Sequence, residues 1–400
     1  MTSIAPDSAA SSASSTSSAL TVERLDVFVF RAPAEPPVQT SFGVMRDRPA
    51  VLVRLTDADG AVGWGEIWCN FPTVGAEHRA RMALAYCRPA VTGRAWSHPR
   101  ECFDELTKRF AVLALQTGEH GTLNQIVAGV DTALWDLHAR RQGKPLWQVL
   151  GGAQARPVQV YASGLNPTDP ETLALRKRDE GYRAFKLKVG FGAERDLANL
   201  RALRDALGSE ATMMVDANQA WDFDEACQAG RRMEDFDLLW LEEPLRADQP
   251  AQRWKELSER QPLTLAGGEN LAGFAQYRDF IATEGMAVIQ PDLGKWGGFS
   301  GCLEVAKQTL AAGKWYCPHW LGGGIGLVAS MHLKTAVGGP GYVEVDSNPN
   351  PLRELLAVPN FTVNDGWVQL SNEPGLGVAP DLAACKGFVV EIPLVGVVGV

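Results

Sequence analysis

The chain has 400 residues, 46% hydrophobic and 21% charged, with a formal net charge of −9. That length suits two or three domains, or a barrel with an addition, and the acidic balance argues against a nucleic-acid partner, which wants a basic face. No apolar run is long enough to cross a membrane, and the seven cysteines, scattered and never in CxxC spacing, read as reduced thiols of a cytoplasmic protein with neither disulfides nor a zinc site.

Residues 1–20 are mostly Ser and Ala, with no basic start and no apolar core, and read as a disordered tail rather than a secretory signal. Folding is expected to begin near Val22. The run VERLDVFVF is strand-like, and AVLVRLT, followed by Asp59-Gly60 and AVGWGE, reads as a β-hairpin with a primed turn. Helical patterns follow. In the clearest, 123–142, Ile126, Val130, Leu134 and Leu137 share one face, and Gly143 then Pro145 end it. Residues 21–150 thus read as an α+β unit.

From Pro157 the rhythm changes to short apolar runs: VQVYA, AFKLKV, TMMVD, LLWLEE, LTLAGGE, AVIQPD, WYCPH and YVEVD, with helix-compatible segments between them. Eight such runs in 151–354 match a β/α barrel better than an open sheet. Beyond about Leu355 the alternation fails, and 355–400 is expected to pack back on the first domain.

The runs end in ionisable residues: Lys186 and Lys188, Asp216, Glu242 and Glu243, Glu269, Asp292, His319, then Glu344 and Asp346. From Lys188 to Glu344 the steps are 28, 26, 27, 23, 27 and 25 residues, one βα unit each. In a closed barrel these residues converge on one mouth. Asp216, Glu242 and Glu269, on three adjacent strands, would repel one another without a cation, and an all-carboxylate set favours Mg²⁺ over zinc. Lys188 lies to one side of the triad. Near a divalent cation and Lys186 its pKa should fall, which would make it a usable base. On the other side, Asp292 can hold one imidazole nitrogen of His319 and leave the second to exchange protons. A metal between two bases suits removal of a proton α to a carboxylate through a metal-stabilised enediolate.

KLK at 186–188, DAN at 216–218, EEP at 242–244, GEN at 268–270, PD at 291–292 and HW at 319–320 resemble the mandelate racemase subgroup of the enolase superfamily. The resemblance implies an α/β fold, a modified TIM barrel (β/α)7β with an N-terminal α+β capping domain completed by the C-terminal segment. It implies Mg²⁺ on Asp216, Glu242 and Glu269, and Lys188 with the His319–Asp292 dyad as acid/base groups. Lys186 and Glu344 would contact the substrate carboxylate, with Asn218 near metal and substrate. Muconate-lactonising enzymes and dipeptide epimerases resemble this chain too, but they carry a Lys at the end of strand six, where Asp292 stands here. Lys295 falls three residues later, in the loop.

Specificity should come from capping loops 40–48 and 68–74. Phe42, Met45, Trp68, Phe71 and Trp320 would make a partly apolar pocket, with Arg46 or Asn70 reading polar groups. Gly322, Gly323, Gly324 and Gly326 suit a tight loop beside the substrate, since they do not complete GxGxxG. The remaining histidines read as surface or packing residues. The expected partner is a small carboxylate, and the resemblance suggests a homo-oligomer. Dehydration of a hydroxy or sugar acid is favoured, with racemisation as the alternative. A barrel that binds an acid without turning it over should have lost a ligand or a base, and every expected position is filled.

Overall fold

The computed structural model describes residues 19–392. The expected tail therefore lies outside the described residues, except that Leu20 already opens the first strand, buried against Trp96. An antiparallel sheet in the order β3-β2-β1-β4 is built from β1 (Leu20–Thr40), β2 (Gly43–Asp57), β3 (Val62–Ile67) and β4 (Arg94–Trp96). The β2–β3 connection differs from the primed turn expected of Asp-Gly. Gly60 N bonds Asp57 O at 2.9 Å, and of the turn residues only Gly60 has positive φ (84°). This is a type I turn closed by a left-handed glycine, as fits a three-residue hairpin.

Helices α1 (Gly75–Met82), α2 (Arg88–Val91), α3 (Pro99–Thr117), α4 (His120–Arg141) and α5 (Leu146–Val149) complete the capping domain. Periodicity predicts one apolar face for α4, yet it is buried on nearly every side from Leu123 to Ala139. It packs on β3 as well as on the barrel. Gly63 and Gly65 allow this, because a side chain at either would collide with the α4 backbone at Ala133 and Gly129.

The barrel alternates β5 (Val158–Leu165), α6 (Pro170–Asp179), β6 (Ala184–Lys188), α7 (Ala193–Leu207), β7 (Thr212–Asp216), α8 (Phe223–Arg232), β8 (Leu238–Glu242) and α9 (Ala251–Ser258). It continues through β9 (Leu265–Gly267), α10 (Phe274–Ala282), β10 (Val288–Ile289), α11 (Gly298–Ala311), β11 (Trp315–Tyr316), α12 (Gly324–Val337) and β12 (Tyr342–Asp346). The eight strands are parallel, in the order β11-β10-β9-β8-β7-β6-β5-β12. Glu344 N to Pro318 O, at 3.4 Å, draws the two ends together. Seven helices between eight strands is the (β/α)7β arrangement. Tyr161, Met214, Trp240, Val288 and Cys317 fill the interior, so the barrel is a packed floor beneath its mouth rather than a pore.

After α13 (Pro351–Leu355) the chain touches both domains. β13 (Trp367–Val368) pairs with β5, whereas Val389 bridges Phe30 of β1 and Val390 N bonds Val29 O. No helix among the described residues is long and apolar enough to cross a membrane.

His332 of α12 ties this segment in. Its Nδ1 accepts from Trp147 N at 3.1 Å, and its Nε2 faces Leu376 O at 3.0 Å, which requires the neutral ring. Burial pushes its imidazole down to about 4. The unfolded ring takes up a proton near pH 6.5, but the folded one does not until about pH 4. The stability this group contributes is therefore full above pH 6.5 and lost as pH falls towards 4, at about 1.4 kcal/mol per unit and about 3 kcal/mol in all. His332→Gln should flatten the acid limb of urea-unfolding stability between pH 6.5 and 4. An unchanged slope would assign that limb to other groups.

Candidate active site at the barrel mouth

Parallel pairing sets the site. Asp216 pairs with Lys188 on one side and Glu242 on the other, so three charged residues stand level at the ends of β6, β7 and β8. The ladder then runs beyond the named strands: Gln290 N bonds Gly267 O, and His319 N bonds Pro291 O. These bonds bring Glu269, Asp292 and His319 to the same rim. Asn218, Gln219 and Glu243 are three of the six described non-glycine residues with positive φ. Each conformation costs about 1–3 kcal/mol and clusters where function requires it.

The charges are buried and closely paired, every one of the eight at most 8% exposed. Lys188 Nζ lies 2.5 Å from Asp216 Oδ2. Lys186 Nζ lies 2.5 Å from Glu242 Oε1 and 2.8 Å from Glu344 Oε1. His319 Nε2 is 2.5 Å from Glu269 Oε2, and its Nδ1 is 2.6 Å from Asp292 Oδ2. Two backbone N–H groups, of Gly294 and Lys295, donate to the other Asp292 oxygen at 2.8 and 3.0 Å. That leaves Asp292 an acceptor towards a protonated Nδ1.

Electrostatics follow from these contacts. Burial would lower the His319 imidazole, but Glu269, Glu344 and the bond to Asp292 hold it well above its ordinary value. Burial would raise Glu344, yet Lys186 and His319 bring it down to about 2. Burial, with Asp216 adding to it, carries Glu242 up to about 7 in spite of Lys186. For Lys188, burial is the strongest single influence and acts to lower it. Asp216 at 2.5 Å, with Glu344 and Glu242 adding to it, raises the ammonium of the metal-free site against burial and Lys186. The lowering expected beside a divalent cation concerns the metal-loaded site.

Among the described residues no three His, Cys, Asp or Glu side chains stand together as a ligand set. The triad is instead charge-balanced by this chain's own cations: Asp216 by Lys188, Glu242 by Lys186, and Glu269 by His319 and Lys295. In chemistry the donor set suits a hard cation, being all oxygen and carrying three carboxylates. The side-chain oxygen of Asn218 beside it is buried without a partner.

A cavity of about 620 Å³ opens above these residues, lined by Lys188, Glu269, His319 and Asn218 of the expected set. Phe42, Trp68, Asn70, Phe71 and Leu321 form one wall. The polar part of the lining comprises Gln219, Arg246, Asp248, Asn270 and Lys295. Lys186 and Glu344 lie beneath the cavity rather than in its lining. Three expected pocket residues are also elsewhere. Strand alternation buries Met45 and turns Arg46 to solvent, and the Trp320 ring is buried over Gly294, Gly322 and Gly326. Lys295, read only as a loop residue, reaches in to bond Glu269 Oε1 and Asn270 Oδ1, each at 3.0 Å, and covers the Trp68 ring. Its place three residues after Asp292 was the available signal.

Residues 24–151 match the family described as mandelate racemase / muconate lactonizing enzyme, N-terminal domain, and residues 171–384 match the enolase C-terminal domain-like family. A mandelate racemase/muconate lactonizing enzyme from Bordetella bronchiseptica RB50, solved by crystallography, is 52% identical. It superposes with a TM-score of 0.86 over 92% of this chain and 99% of that one. A Bradyrhizobium enolase complexed with magnesium and mandelic acid is 28% identical, with a TM-score of 0.82 over 93% and 99% of the two chains. The L-talarate/galactarate dehydratase of Salmonella typhimurium is 32% identical over 346 residues, 81% of this chain and 84% of that protein.

Removing the buried cation Lys186 should expose the charge balance. In chelated protein Lys186→Met should cost about 3–5 kcal/mol, because it strands buried carboxylates. The loss should be larger at pH 8 than at pH 6, where those carboxylates can take up protons instead. Urea unfolding at both pH values reads this, and an equal loss at the two would contradict it.

Proposed function

The chain belongs to the mandelate racemase/muconate lactonizing enzyme family of the enolase superfamily, and from that footing we propose that it is a Mg²⁺-dependent dehydratase of a small hydroxylated carboxylic acid. The observation that carries this reading is that Lys188 and His319, two side chains able to exchange protons, line one cavity. Lys188 is on β6, and the Asp292-bonded His319 lies beyond β11, on either side of the three acids. Asp216, Glu242 and Glu269 would hold the ion, which supplies positive charge to the substrate carboxylate as negative charge develops there.

The chain's own groups do the rest. Lys188 and His319 come from opposite sides of the triad and so would address opposite faces of the α-carbon. One removes the α-proton. The electron pair forms a double bond to the β-carbon, and the C–O bond to the β-hydroxyl breaks as His319 delivers its proton, so that water leaves. The remaining enol becomes a 2-keto acid by taking a proton at carbon. Asp292 keeps the Nδ1 proton in place, so Nε2 is the nitrogen that exchanges with substrate. Lys186, beneath the cavity and fixed there by Glu344, would supply positive charge under the carboxylate end.

The polar wall of Gln219, Asn270 and Lys295 supports a substrate with several hydroxyls, and the Salmonella relative is named for dehydration of such acids. Racemisation by the same two groups is the second reading. It is favoured by the aromatic wall of Phe42, Trp68 and Phe71, and by the mandelic acid bound to the Bradyrhizobium relative. The seven unpaired cysteines support a cytoplasmic setting.

A panel of aldonic, aldaric and aromatic α-hydroxy acids, incubated in D₂O, tests the reading. Chelation should abolish solvent exchange at the α-carbon, and Mg²⁺ should restore it. Lys188→Ala and His319→Asn should each lose about 100-fold or more, from opposite configurations at that carbon. Wild-type exchange of both configurations by both variants would sink the two-base mechanism.

A further inference from the structure

Of the glycine-rich stretch after His319, residues 321–326, only Leu321 lines the cavity. The glycines of this stretch answer to two other demands. A side chain at Gly323 would run into the Glu66 carboxylate, and one at Gly326 into the Trp320 indole.

Glu66 belongs to β3, in the capping domain, and is 2% exposed. Its Oε1 accepts from Gly323 N at 2.6 Å and its Oε2 from Gly326 N at 2.9 Å. These are free amides at the N-terminus of α12, whose own cap residue, Gly323, has no side chain to serve them. The nearby cation Arg48 is instead paired with Asp346. Burial pushes Glu66 up to about 7, so an acid is kept here at an electrostatic penalty. The chain from it to the active site is short. Trp320 Nε1 donates to Gly323 O at 2.9 Å, Trp320 N donates to Glu344 Oε2 at 3.2 Å, and His319 is the preceding residue. The capping domain repeats the device one helix earlier. Asp131 of α4 accepts from Ser300 N at 3.0 Å and Ser300 Oγ at 2.5 Å, in the first turn of the helix that follows Asp292.

We propose that Glu66 is a positioning residue for His319: by holding the first turn of α12 from the other domain, it fixes the loop that aims the imidazole at Asp292 and the cavity. The functional weight of this rests on His319 being an acid/base group, but the positioning can be tested without turnover. The full chain, labelled with ¹⁵N-histidine, has six imidazoles, and His319→Asn identifies the signals of interest. Glu66→Gln replaces one acceptor by an amide that faces an N–H. It should shift or broaden the ring nitrogen signals of His319 and leave the other five histidines where they were. Glu66→Asp keeps the charge but shortens the reach, and should move His319 in the same sense by less. It also stands in if the Gln variant does not fold. His319 signals identical to the parent in a folded variant, or all six histidines moving together, would overturn the proposal. Failure of the exchange experiment alongside a selective His319 shift would instead remove the catalytic reading and leave the positioning intact.

Discussion

The barrel mouth is governed by charge balance in a dry place. Asp216, Glu242, Glu243, Glu269, Asp292 and Glu344 are six nearly buried carboxylates, set beside Lys186, Lys188, Lys295 and His319. Isolated, each buried charge would be strongly unfavourable, so the cluster persists only because its members neutralise one another. Four cationic groups against six acids leave an excess of negative charge. Part of it is absorbed locally. Burial and Glu269 push Glu243 up to about 8, which favours its neutral form, and it sits among the Asn270 and Gln219 amides. Asp292 draws on two backbone N–H groups. The same oxygens that pair with Lys188, Lys186 and His319 are those proposed to hold a metal ion, so the proposed ion and the proposed acid/base groups share their partners.

That constraint explains why two domains are needed. The strands deliver the charges, but the strand ends alone leave them open to water. The capping domain closes the mouth with Phe42, Trp68 and Phe71, and its β1–β2 turn is tied to the barrel by Ser41 Oγ to Asn218 O at 2.9 Å. Asn70 similarly bonds Leu321 O. Excluding water strengthens every electrostatic interaction inside. The labour is divided: strand ends carry the charged groups, while loops from the other domain line the cavity above them.

The regular features were legible in the sequence. Eight apolar runs at near-regular spacing, seven of them ending in ionisable residues, marked the barrel strands and the residues at their tips, because a βα unit has a nearly fixed length. Contacts were not legible in the same way. Lys186 and Lys188 look alike in KLK, yet one is sealed under the cavity and the other lines it, a difference of depth that spacing does not encode. Arg46 was misplaced because the register of a strand next to a turn depends on that turn. Trp320 was misplaced because its partners are glycines, which carry no hydropathy signal.

Glu66 shows where the limit lies. Its sequence context, the end of a hairpin strand, gives no reason to expect a functional carboxylate, and its partners are backbone amides 257 and 260 residues away. A main-chain N–H has no residue identity, so the only trace it leaves is the requirement for glycine opposite. Read this way, Gly323 marks a site where another group occupies the space of a side chain, as Gly63 and Gly65 mark the approach of α4. The Gly63 and Gly65 contacts lie within the capping domain, whereas the Gly323 contact lies on the boundary between that domain and the barrel. A glycine can therefore mark where the two domains interlock, and this one sits four residues from His319, the imidazole proposed to transfer protons.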